Sequence, residues 1–256
     1  MVGEKCPNAA VYLELGKVPL MKEIKLKVLI FLLHIIRVYP EKHLCWKAFM
    51  HLMKSENKYS NFVQSIFVGL DRNVAVFMSN FYEEFYGVEY HQGILSQANK
   101  IWTSELVEQL KTKAKENVKM KFYMKITEDQ PFSIKPYLEI ISNQNSRSYL
   151  TRFRCGSHRL NVEIGRWMRI EQLSRKCRFC TSGQMEDEEH MMECSFFEEE
   201  RNELYEKVQE IIPYFGEADK QTQLKLLFCD SLGMSNLTRK YIGRVMYMVN
   251  KNFENK

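Results

Sequence analysis

The stretch Arg175-Lys-Cys177-Arg-Phe-Cys180-Thr-Ser-Gly-Gln-Met-Glu-Asp-Glu-Glu-His190-Met-Met-Glu-Cys194 decides how this chain is read. A Cys-x2-Cys turn presents two sulfurs on one side of a tight knuckle. His190 and Cys194 lie four residues apart, so a helix there would set both on one face. Together they offer three thiolates and one imidazole, a full tetrahedral shell for Zn2+. A full shell leaves no position for water. The expected zinc on Cys177, Cys180, His190 and Cys194 is therefore structural rather than catalytic. Three thiolates on a dication leave one net negative charge, which Arg175, Lys176 and Arg178 can offset. Glu186, Asp187, Glu188 and Glu189 are acidic where a helix N-terminus favours acids. The competing ligand pair is Cys155-x2-His158, which has workable spacing but no second pair.

The knuckle closes a basic tract. Residues 147–178 contain Arg147, Arg152, Arg154, Arg159, Arg166, Arg169, Arg175, Lys176 and Arg178, opposed only by Glu163 and Glu171. The whole chain carries +5, so this tract holds more than the total and the remainder is net negative. Arginines contact phosphates, and aromatics stack on unpaired bases. The arginines are read here as facing an anionic partner, RNA or DNA. The interleaved Tyr149, Phe153, Trp167 and Phe179 are divided between stacking and core, with core the better account of Trp167 and Phe153. At helical pitch Tyr149, Leu150 and Phe153 share one arc. Arg147, Arg152 and Arg154 fall outside it and are expected in solvent.

Around this tract the chain reads as helical. Only 11 Gly and 6 Pro occur among 256 residues, which speaks against a turn-rich all-β fold. The pattern predicts helices over 20–37, 41–54, 97–118, 135–143, 146–155, 196–213, 220–232 and 235–252, with a short apolar element over 61–70. Pro19 suits the start of the first and Pro40 marks its end. Its later half is apolar all round and is expected to be central to a core. Residues 79–92 are aromatic and loop-like. Polar Thr127–Pro131 suggests a boundary. The expected organisation is a helical connector over 1–128 and a zinc-binding, basic helical module over 129–256. The fold class is mostly α.

Other classes find little support. The longest apolar run, from Val28 to Leu33, falls far short of the ~20 residues a membrane helix needs. Glu4, Lys5, Glu14 and Lys17 interrupt any secretory signal. With seven mostly scattered cysteines, the chain is expected in a reducing compartment, cytoplasmic or nuclear. His34, His43, His51 and His91 show no ligand spacing. Glu198-Glu199-Glu200 reads as a solvated helix start. There is no Gly-rich phosphate loop and no Gly-x-Ser-x-Gly elbow. The paired aspartates with which polymerases hold two metals are also lacking.

The residues resemble a known family. Leu150-Thr-Arg-Phe-Arg-Cys-Gly-Ser-His-Arg-Leu-Asn-Val-Glu-Ile-Gly-Arg166 is similar to a segment from the C-terminal region of non-LTR (LINE-type) retrotransposon reverse transcriptases. There it precedes a Cys-x2-Cys…His…Cys element, as it does here. Leu13-Glu-Leu-Gly-Lys-Val-Pro-Leu20 resembles the start of that family's helical connector, and Pro136-Tyr-Leu-Glu139 also fits. The resemblance implies a zinc-binding tail that helps hold element RNA or target DNA, with zinc on the four residues named above. It implies a polymerase domain elsewhere in a longer polyprotein. The polymerase and endonuclease residues do not carry over, so no enzymatic activity is expected. The nine-residue spacing to His190 is longer than in retroviral nucleocapsid knuckles. Two rival readings differ in class. One is a zinc-stapled helical protein–protein interaction module. The other is a nuclease using acids around 186–200.

Overall fold

A computed structural model describes residues 7–39, 42–55, 57–68, 88–229 and 231–254. Among them the regular structure is helical, and the only β pairings are two isolated antiparallel bridges, Leu15 with Ile134 and Lys176 with Met185. The mostly α expectation therefore holds. The chain forms two compact units, residues 18–109 and a second unit of residues 1–17 with 110–256.

The 18–109 unit contains α2 (Met21–Val38), α3 (Leu44–Lys54), α4 (Lys58–Val68) and the first part of α5 (Val88–Glu116). Tyr39, the residue before Pro40, is extended and ends α2, because a following proline disfavours the helical region. His43 caps α3 by accepting from the Cys45 N–H at 3.2 Å. Leu29, Leu32 and Leu33 of α2 pack with Trp46 and Phe49 of α3, Val63 and Ile66 of α4, and Ile94 and Trp102 of α5. α2 is not buried all round: Ile30 and Phe31 are exposed. They project opposite the Leu29–Leu32–Leu33 stripe, and a helix touching neighbours along one stripe buries only that arc. The reading of 79–92 as a loop falls mostly outside the described residues, but from Val88 onward the chain is helical.

The larger unit joins α1 (Asn8–Glu14) to the end of α5, α6 (Lys121–Thr127), α7 (Tyr137–Ile140), α8 (Gln144–Arg154), α9 (Asn161–Trp167), α10 (Glu188–Met191), α11 (Glu198–Ile211), α12 (Lys220–Leu227) and α13 (Leu232–Glu254). α13 packs against α8 and α11. Phe153 and Leu150 share one core with Leu204, Val208, Ile242, Val245 and Val249. A smaller core gathers Ala10, Leu13, Leu110, Ala114, Met120, Tyr123 and Cys155. The units thus part at 17/18 and 109/110 rather than at the expected 128/129, and α1 belongs with the C-terminal helices. No helix among the described residues is long and apolar enough to cross a membrane.

A buried polar network explains where α1 goes. Arg154 Nε donates to Glu14 Oε1 at 3.0 Å, and Tyr137 Oη donates to Glu14 Oε2 at 2.6 Å. Arg154 Nη1 also donates to the Phe228 carbonyl at 3.1 Å. Burial alone would lower the Arg154 pKa; the Glu14 carboxylate outweighs burial and holds the guanidinium above its usual value. Burial also pushes the Tyr137 and Tyr123 phenols up, so both stay neutral hydrogen-bonding groups. Beside the network, Gly16 turns the chain at φ +57°, where a Cβ would lie 2.3 Å from the Ile134 backbone nitrogen.

Candidate metal centre

The two halves of the Cys/His stretch are built differently. The knuckle is the tip of a small hairpin. Cys177 N–H donates to Gln184 O at 2.8 Å, and Glu186 N–H donates to Arg175 O at 3.0 Å. Gly183 makes the turn at φ +72°, a conformation glycine adopts without a Cβ penalty. The second half is one helical turn. Asp187 caps α10 by accepting from the His190 N–H at 2.8 Å. The Cys194 N–H donates to the His190 carbonyl at 2.7 Å. The i to i+4 relation read from the sequence is therefore present, although Cys194 lies just past the helix.

The one-turn α10 is anchored in the core. Met191 and Met192 are buried, Tyr241 Oη donates to the Met191 carbonyl at 2.5 Å, and Arg201 Nη1 donates to the Cys194 carbonyl at 2.8 Å. The hairpin is anchored by Glu186, which is fully buried. Its carboxylate takes both arms of Arg178 (Nε at 2.9 Å, Nη2 at 2.5 Å), the Arg178 N–H at 2.9 Å, and the Asn161 N–H at 3.1 Å at the start of α9. Glu186 O also accepts from Val162 N–H at 3.0 Å. Sequence reading placed Glu186 in an acidic helix start. Nothing in a run of four acids distinguishes Glu186 and Glu188, which are buried, from the other two.

These anchors bring the four predicted ligands together. One donor atom from each of Cys177, Cys180, His190 and Cys194 lies within 4.8 Å of the others. Cys177 Sγ is 3.9 Å from Cys194 Sγ, and Cys180 Sγ is 3.3 Å from His190 Nε2. A tetrahedral ion with metal–sulfur bonds of about 2.3 Å and metal–nitrogen bonds of about 2.0 Å needs edges of roughly 3.8 and 3.5 Å. The donor set fits such an ion. His190 Nδ1 lies 2.7 Å from Gln184 Oε1, and Cys180 Sγ lies 3.1 Å from Ser182 Oγ. Without an ion, burial pushes the Cys177 thiol up to about 12 and raises Cys194. At Cys180 burial also acts upward, but hydrogen bonds from Ser182, His190 and Cys194 outweigh it and bring the thiol down to about 6. The rival pair is not part of this cluster. Cys155 is in the smaller core, and His158 is buried with Nε2 2.8 Å from Glu188 Oε1.

The basic tract is placed less simply. Arg154 is buried in the Glu14 network, which corrects the expectation that it faces solvent. An arc of apolar residues carries no information on an arginine that finds a buried carboxylate partner, and the pairing with Glu14 offsets the cost of desolvating Arg154. Arg178 is taken by Glu186, and Arg166 pairs with Glu163. Arg175 donates to the carbonyls of Ile170 and Val162, and Arg147 donates to Leu138 O at 3.1 Å. Arg152, Arg169 and Lys176 are exposed, and Arg159 is half-buried over the Phe253 ring. Of the aromatics, Phe153 is buried, while Tyr149, Trp167 and Phe179 are half-buried; Phe179 packs on Phe196 and Phe197. Glu198 and Glu199 are exposed at the start of α11, as a solvated helix start should be. No protein-family model, curated protein or solved structure matches this chain.

Proposed function

We propose that the chain is a non-catalytic, zinc-stapled helical module that binds RNA or DNA. The observation that carries the first half is the convergence of three sulfurs and one imidazole nitrogen within 4.8 Å. Thiolate-rich tetrahedral sites select zinc among the common divalent ions. Four protein ligands leave no open position for a reacting water, so the ion's task is to tie the hairpin to the α10 turn.

The second half rests on the exposed cations Arg152, Arg169 and Lys176, which are fewer than the nine basic residues of the tract. Support for a retroelement origin comes from how the three resembling stretches meet. Glu14 of Leu13–Leu20, Tyr137 of Pro136–Glu139 and Arg154 of Leu150–Arg166 make one buried network. In that reading a polymerase domain of a longer polyprotein supplies the catalysis.

One observation favours the interaction-module reading instead. Met168, Ile170 and Leu173 are exposed on the loop after α9, and apolar side chains suit a protein partner better than phosphates. Two measurements decide. Elemental analysis of purified protein is expected to give one zinc per chain, lost in Cys180→Ser and His190→Ala; a zinc-free, correctly folded wild type overturns the staple. Binding to a structured RNA and a DNA duplex across salt concentrations is expected at low salt; no binding there leaves the interaction module as the account.

A further inference from the structure

A histidine that binds a metal through Nε2 must carry its proton on Nδ1, and that N–H needs an acceptor to hold the ring in plane with the ion. His190 points Nε2 at Cys180 Sγ and Nδ1 at Gln184 Oε1, 2.7 Å away. Asp187 Oδ1 accepts the backbone N–H of His190 at 2.8 Å and so caps the same turn. Gln184 also closes the hairpin through its backbone, accepting the Cys177 N–H at 2.8 Å. One residue therefore ties the knuckle's backbone to the imidazole of the other half. Its side chain is exposed and fills no core space.

We propose that Gln184 is the positioning residue of the metal centre: its side-chain carbonyl fixes the tautomer and plane of His190, so that Nε2 meets the ion already aligned. This rests on the zinc reading above. A neutral amide suits this place. Three thiolates already leave the loaded site one net negative charge, and a carboxylate would add another beside it. Gly183, at φ +72°, makes the turn that immediately precedes Gln184.

The test uses the full chain and zinc alone, with Gln184→Leu, which removes the acceptor at similar size, and Gln184→Glu, which keeps it. Affinity is measured by competition with a chromophoric chelator. The zinc-loaded His190 side chain is followed by 15N–1H correlation spectroscopy. Gln184→Leu is expected to bind zinc about 10–100-fold more weakly and to lose the protected Nδ1–H signal, with helical content unchanged. Gln184→Glu keeps an acceptor and is expected to retain the protected Nδ1–H signal and to bind zinc more tightly than Gln184→Leu. Equal affinity of Gln184→Leu and wild type, or equal losses in both variants, overturns the inference. A wild type that takes up no zinc overturns the zinc reading itself, which separates the two failures.

Discussion

Glu186 organises the polar contacts behind the knuckle, and it can be tested alone. Glu186 is fully buried and holds both arms of Arg178 together with the start of α9. Glu186→Gln leaves Arg178 without a counter-charge in a site with little water. Removing one partner of a buried pair costs about 3–5 kcal/mol, and a reversible chemical melt is expected to show a loss near the lower end of that range because glutamine keeps an acceptor. No change in the melt would mean that Arg178 turns out to solvent at no cost. Glycines separate steric from conformational effects. Gly16→Ala puts a Cβ 2.3 Å from backbone and is expected to cost more than about 2 kcal/mol, whereas Gly183→Ala, also at positive φ but with nothing within 4 Å, should cost only about 1–2 kcal/mol. Arg169 offers the opposite case. It sits at φ +57° just past α9, and the Ile170 N–H donates to the Gly165 carbonyl at 2.7 Å, a helix end that usually carries glycine. Arg169→Gly should stabilise the fold by roughly 0.5–1 kcal/mol and still weaken nucleic-acid binding. A variant that is more stable and binds equally well would remove Arg169 from the interface.

At the scale of elements, the metal's work is local. The hairpin 175–186 and the single turn of α10 are too short to hold themselves, since isolated short helices are marginal in water. Structural zinc in small modules contributes on the order of 10–16 kcal/mol. Chelation is therefore expected to raise amide exchange across 161–194 by orders of magnitude and to leave α2–α4 protected as before. Uniform loss of protection along the chain, or none anywhere, would contradict a local staple. This is also where sequence and structure part company. The ligand spacing of Cys177, Cys180, His190 and Cys194 was legible because metal geometry is local. The helices 20–37, 146–155 and 235–252 were legible from their apolar period. α1, α6 and α9 were not, because each is seven residues long, under two full turns of pattern. Arg154 was misread because burial of a cation depends on a carboxylate 140 residues away, which no local window contains.

For the whole molecule the question is what the outward charge does. If the exposed Arg152, Arg169 and Lys176 each neutralise one phosphate, log affinity should fall against log salt with a slope of about −2.7 on duplex DNA and about −2 on single strands. Arg152→Ala with Lys176→Ala should make the slope shallower by about two-thirds, with little change in sequence preference. A slope near zero with retained binding would move the contact to the apolar Met168, Ile170 and Leu173. Primer extension by the isolated chain is not expected on any template, and activity surviving rigorous purification would end the non-catalytic reading. The division into units was the least legible feature. Polar Thr127–Pro131 looks like a linker, but the chain crosses from one unit to the other inside the continuous helix α5, where composition gives no sign.

The pairing of Glu14 with Arg154 also sets an order of events on the ribosome. Residues 18–109 lie wholly between these partners, so their unit can finish before Arg154 has been made. At roughly 5–20 residues per second, the 140 residues separating Glu14 from Arg154 take roughly 7–28 s to synthesise. For that interval the α1 segment has left the tunnel without its guanidinium. An excised fragment starting at residue 110 keeps Arg154 and lacks its Glu14 carboxylate altogether. Such a fragment would keep all four metal ligands and still carry an uncompensated arginine in its interior, so the smallest piece that behaves like the native metal module has to bring residues 7–17 with it, supplied in cis or as a separate peptide.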